Sequence, residues 1–181
     1  MAKFLTLNTH SWMEEEQETK LNQLAECILQ EKYDVICLQE VNQLMESEQV
    51  VQAPFYYAVD GAIPIHQDHY ALRLVEKLAE AGLDYYWSWA YNHIGFDIYN
   101  EGVAILSRKP IAPREILVSE VNDPRDYHTR KVLLAETEVE GQLMTIASCH
   151  LSWWDKGFQG EWSKLEEELL KVKNPLVLMG D

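Results

Sequence analysis

Residues 34–40 read Asp-Val-Ile-Cys-Leu-Gln-Glu, and this heptapeptide decides the fold class. Its four successive apolar side chains, Val35 to Leu38, form a run too short for a helix and without alternation. That is the pattern of a strand buried on both faces. Upstream, Leu21, Leu24, Ala25, Ile28 and Leu29 recur at helical spacing, and before them Lys3 to Asn8 alternates polar and apolar residues as a strand does. Strand, helix, strand predicts a parallel pair with both carboxyl ends at one sheet edge. Ligands of open α/β sheets collect beyond such ends, and the residues there are Asn8 and Glu40.

Downstream, Ala71, Leu74, Val75, Leu78 and Ala79 predict a second helix, closed by Gly82 where a left-handed cap is wanted. From Asp84 the pattern becomes strand after strand: Tyr85 to Tyr91, Gly102 to Leu106, Glu115 to Val118, Lys131 to Val139 and Leu143 to His150, the last two joined by a Glu140-Gly141 turn. Such a block favours antiparallel pairing. A third helical stripe (Trp162, Leu165, Leu169, Val172) leads through Asn174-Pro175 to a final apolar strand, Leu176 to Met179, with Gly180-Asp181 at its end. Trp162 is expected in the core.

The 181 residues carry thirty acidic and fifteen basic side chains, a net charge of −15. This opposes the long-range attraction that most nucleic-acid binders use, so nucleic acid is a disfavoured partner. The acidic runs at Glu14, Glu15, Glu16 and Glu18 and at Glu166, Glu167 and Glu168 read as solvated faces. No linker or repeat divides the chain, and one domain over 1–181 is expected. The longest apolar run is five residues, Phe55 to Val59, well short of a membrane span. With no basic, apolar leader at the start and three cysteines that lack paired spacing, a cytoplasmic location is expected. Cys27 and Cys37 read as small core residues.

The strand ends offer oxygen ligands: the amide of Asn8 and the carboxylates of Glu40 and Asp181. Hard cations such as magnesium prefer that set. Six segments, in order, carry a resemblance: LTLNTH at 5–10, DVICLQE at 34–40, YNEGVAILSR at 99–108, HTRKVLLAE at 128–136, ASCHLSWW at 147–154 and PLVLMGD at 175–181. Together they resemble the endonuclease/exonuclease/phosphatase superfamily of metal-dependent phosphoesterases.

The resemblance implies an α/β fold, a four-layer sandwich of two mixed, largely antiparallel sheets flanked by helices. It further implies that Glu40 and Asn8 hold Mg2+ or Mn2+, and that Asp181, as the aspartate of a GDxN signature, orients the attacking water. His150 would act with Glu101 as its hydrogen-bonding partner, and Arg130 would touch substrate phosphate. Glu101 beside His150 is expected to raise the histidine pKa. His10, Trp153 and Trp154 are candidates for lining the site, whereas His66, His69, His93 and His128 receive structural readings.

Family members extend past this aspartate, through an asparagine two residues on and a later aspartate and histidine. The 181-residue chain therefore reads as shortened at its C-terminus and is expected to be inactive alone. The expected function is metal-dependent hydrolysis of a phosphodiester or phosphomonoester, with a small-molecule or lipid-headgroup substrate favoured by the charge. A DNA or RNA nuclease and a non-catalytic binding scaffold are the alternatives.

Overall fold

The computed structural model describes residues 1–181. The order of elements is β1 (Phe4–Asn8), α1 (Gln17–Glu31), β2 (Val35–Leu44), α2 (Tyr70–Glu80), β3 (Tyr86–Gly95), β4 (Tyr99–Ser107), β5 (Ile111–Leu117), β6 (Lys131–Val139), β7 (Gln142–Cys149), α3 (Phe158–Leu169) and β8 (Leu176–Gly180), with a single 3₁₀ turn at Trp154–Lys156. Two four-stranded mixed sheets result, ordered β1-β2-β4-β3 and β5-β6-β7-β8. The predicted β1/β2 pair is parallel; β8 also runs parallel to β7, and the remaining pairs are antiparallel.

Strand alternation sorts the core into three slabs. Val35 and Cys37 of β2 and Val103 and Ile105 of β4 face Leu133, Ala135 and Ile146 of the second sheet. The opposite faces of the same strands, Ile36, Leu38, Ala104 and Leu106, pack under Leu21 and Ile28 of α1 and Leu74 and Leu78 of α2. On the far side, Val132, Leu134 and Ala147 meet Leu165 of α3. Helix, sheet, sheet and helix therefore stack as the expected four layers, and β2 is buried on both faces. Cys27, in contrast, sits exposed on α1, because only Leu21, Ala25 and Ile28 occupy that helix's inner stripe. No helix is long and apolar enough to cross a membrane.

Gly82 adopts φ 81°, and the Leu83 amide donates to the Leu78 carbonyl, closing α2 with the left-handed turn anticipated from sequence. Gly102 of β4 is required for a different reason. A Cβ there would lie 2.1 Å from the Ala90 carbonyl oxygen, so only glycine lets β4 approach β3 at this level.

That level is irregular on both sides. The β2/β4 register shifts between Leu38 and Val41, and the β3/β4 register shifts between Tyr91 and His93. Glu40, within the first bulge, takes φ 51°, a backbone conformation costly for a residue with a Cβ. Its carbonyl oxygen accepts from the Ser11 amide and hydroxyl and from the Thr9 hydroxyl, so the loop after β1 satisfies what the ladder gives up. The second bulge reverses the facing of His93. By simple alternation it would follow Trp87 and Trp89 toward α2; instead it lies opposite Glu101, on the inner face.

The β3–β4 hairpin turns through Phe96 and Asp97, at φ 51° and 63°, with the Ile98 amide donating to the Gly95 carbonyl. Tight hairpins of this hand normally use Asn-Gly. Asp97→Gly is therefore expected to stabilise the fold by about 0.5–1 kcal/mol, measured as a higher urea midpoint with an unchanged m-value.

Candidate active site

Beyond the carboxyl ends of β1 and β8 and beside the two bulges opens a cavity of about 470 Å3. Its polar lining is Glu40, His93, Glu101, Arg130, His150, Ser152 and Asp181, and its apolar lining includes Phe96, Tyr127, Trp153 and Phe158. Five side chains selected from the sequence (Glu40, Glu101, Arg130, His150 and Asp181) thus converge, although up to 141 positions separate them in the chain.

Asn8 ties the two outer carboxylates together. Its Nδ2 donates to Glu40 Oε1 at 2.9 Å and to Asp181 Oδ2 at 2.8 Å, while its Oδ1 accepts from the His10 amide at 3.1 Å. The Asn8 amide nitrogen thus faces both carboxylates and its oxygen faces the His10 amide. Asp181 is positioned through its backbone, its amide donating to the Cys149 carbonyl and its carbonyl oxygen accepting from Leu151. No three His, Cys, Asp or Glu side chains gather closely enough to cage a metal.

The Glu101 assignment needs correction. His93 Nε2 lies 3.3 Å from Glu101 Oε1, and the second ring nitrogen lies 3.3 Å from the Thr129 carbonyl. His150 Nε2 instead lies 3.8 Å from Glu40 Oε1. Burial would raise the Glu101 carboxyl, but contact with His93, helped by His150 and Arg130, outweighs it and moves its pKa down. His150 moves opposite to expectation: burial first, and then the Arg130 charge, lower it against the pull of Glu40, Glu101 and Asp181.

Arg130 enters the site from the residue before β6 and is 6% exposed. Its backbone amide donates to Ser119 Oγ, its Nε is buried without a partner, and no carboxylate comes within ion-pairing distance of its guanidinium. Burial pushes its pKa down despite Glu161, Glu101 and Glu40 nearby.

Of the side candidates, Trp153 lines the cavity at 69% exposure. Trp154 does not, and its ring packs on Phe158 at 5.6 Å. His10 also lies outside the lining. β1 ends at Asn8, His10 turns to φ 44°, and its ring pairs with Glu14 at 3.0 Å. Trp162, expected in the core, is half exposed and stacks on Phe158 at 6.1 Å. Sequence reading missed His93, Phe96, Tyr127 and Phe158.

Against known proteins, the family model described as the Endonuclease/Exonuclease/phosphatase family matches residues 12–181. The chain belongs to this family. Members of the endonuclease/exonuclease/phosphatase family are phosphoester hydrolases. A comparison with curated proteins finds no match.

Among solved structures, a family protein from Leptotrichia buccalis C-1013-b is 34% identical with a TM-score of 0.85; the match covers 100% of this chain and 66% of that one. A second, from Beutenbergia cavernae DSM 12333, is 18% identical with a TM-score of 0.65, covering 97% of this chain and 45% of that one. The catalytic domain of human Nocturnin is 19% identical with a TM-score of 0.63, covering 97% of this chain and 61% of that one. The latter two show the fold alone. The chain thus spans just under two thirds of the first family structure and less than half of the second.

Proposed function

We propose that this chain carries the phosphate-binding and metal-binding groups of a divalent-metal-dependent phosphoesterase. One observation supports the reading most: Arg130, buried and without a counter-ion, opens on the same cavity as two carboxylates joined by one asparagine. An unpaired buried cation costs free energy, and a phosphoryl group is the ligand whose oxygens suit a guanidinium fork.

The donor set fits magnesium or manganese. Mg2+ is commonly held by one or two carboxylates, with water and substrate phosphate completing its shell, and so needs no cage of protein ligands. Glu40 and Asp181 would hold the ion, with Asn8 keeping the two carboxylates together. Bound there, it would supply Lewis-acid stabilisation of charge on the phosphoryl oxygens. Arg130 binds and orients the phosphate. His150, beside Glu40, is the group placed to pass a proton to the leaving oxygen, and an anion in the cavity would counter the burial that disfavours its charged form. Asp181 serves to orient the attacking water.

Small phosphoesters, including lipid headgroups, suit the cavity better than a duplex. Of the fifteen Lys and Arg side chains, Arg130 alone lines it, whereas duplex binding draws on a row of cations. The test is calorimetric titration with Mn2+. The wild-type chain is expected to bind the ion, and Glu40→Gln is expected to bind at least about tenfold more weakly, the usual minimum for a damaged metal site. No Mn2+ binding by the wild type, or equal binding by the variant, would refute the assignment.

A further inference from the structure

The segment that follows β7 carries His150 and Trp153 into the cavity, yet residues 151–153 belong to no helix or strand. On one side it is held by the bond from the Leu151 amide to the Asp181 carbonyl. On the other, a carboxylate from α3 reaches in: Glu161, only 4% exposed. Its Oε2 accepts from the Ser152 amide at 2.8 Å and its Oε1 from the Ser152 hydroxyl at 2.7 Å. No other acceptor serves that amide. A carboxylate is costly to bury, and here both of its oxygens are spent on one residue of the cavity wall.

We propose that Glu161 is a positioning residue that holds His150 and Trp153 at the mouth of the cavity by clamping Ser152. Its reach, rather than its charge, does this. The charge works in the opposite direction, because among the acids around Arg130 it is Glu161 that acts on the guanidinium most strongly, ahead of Glu101 and Glu40. It competes there with an incoming anion. The assignment of a phosphoryl ligand rests on the function proposed above; the clamp itself does not.

Two variants separate reach from charge. Glu161→Gln removes the charge and keeps the length, and its amide can still accept from the Ser152 N–H and donate to the hydroxyl oxygen. Glu161→Asp keeps the charge and withdraws the carboxylate by one methylene. Both are measured by hydrogen exchange at the Ser152 amide and by calorimetry with dimethyl phosphate in the presence of Mn2+. The Gln variant is expected to keep Ser152 protected and to bind no more weakly than wild type. The Asp variant is expected to expose the Ser152 amide and to bind about tenfold more weakly, as a loosened catalytic group does. The proposal is overturned if Asp leaves Ser152 protected, or if Gln loses affinity while Asp retains it. Should the wild type bind no dimethyl phosphate, the phosphoryl reading fails, and exchange at Ser152 still decides the clamp.

Discussion

Replacing Arg130 by methionine is expected to lower affinity for a monoanionic phosphodiester about 100-fold, about 2.7 kcal/mol, while making the fold more stable. Both effects share one cause. Arg130 is 6% exposed as a residue and its Nε is buried without a partner, and no carboxylate is in contact with its guanidinium. The folded chain therefore carries a desolvated charge that Glu161, Glu101 and Glu40 offset only from beyond contact distance and that a ligand can pair directly. Methionine follows the same path through the wall with a flexible apolar stem and removes the cost of that charge, so a gain of about 1 kcal/mol or more is expected. Calorimetry with dimethyl phosphate and urea unfolding measure the two halves. A variant that is less stable and binds as tightly as wild type would place Arg130 among ordinary structural residues.

Acid is expected to weaken the fold through a single buried imidazole. His69 begins α2, its ring nitrogen accepting from the Leu72 amide at 3.4 Å, and the ring is enclosed by Trp87 and Trp89 at 5.1 and 4.6 Å. Its Nε2 has no partner. Burial, with a smaller contribution from His66, pushes its pKa down to about 3. Because the folded value lies below the unfolded value of about 6.5, protons prefer the unfolded chain. Stability from this source is intact above pH 6.5 and falls by about 1.4 kcal/mol per pH unit, to a total near 5 kcal/mol by pH 3.

His69→Asn keeps a capping acceptor but takes up no proton. The stability difference between wild type and this variant should shrink steadily from pH 6.5 to pH 4, even as protonation of the many carboxylates changes the stability of both. A difference that stays constant across that range would refute the assignment.

Most of the architecture was legible because hydrophobic alternation and helical spacing are local signals. The run Val35 to Leu38 announced a strand with two buried faces, and Gly82 announced the end of α2. The site was legible where its residues stand at strand ends, as Asn8, His150 and Asp181 do; Glu40, read as a strand end, stands instead inside β2 at its bulge. Cross-strand register was not legible, since a bulge is a relation between two strands and leaves no mark in either alone, so the turn of His93 toward Glu101 left no signal; the pairing of Glu101 with His150 rests on the family resemblance alone. Glu161 was hidden in plain view. It stands four residues before Leu165 and eight before Leu169, on the buried stripe of α3, but an apolar pattern search passes over a carboxylate and selects the neighbouring Trp162. Phe96 and Tyr127 lie in turns, where periodicity carries no information.

The paired register shifts beside Gly102 have a consequence for how this protein can vary. Removing the extra residue from either neighbouring strand would give a tidier ladder with more hydrogen bonds; in β2 it would undo the bulge that carries Glu40, and in β3 it would swing His93 from aqueous cavity to hydrocarbon. Lineages descending from this chain can accept substitutions along β2 and β3 far more readily than a single-codon gain or loss near positions 39–40 or 92. The spacing of these strands is thus as much a part of the site as the identity of any one of its acids.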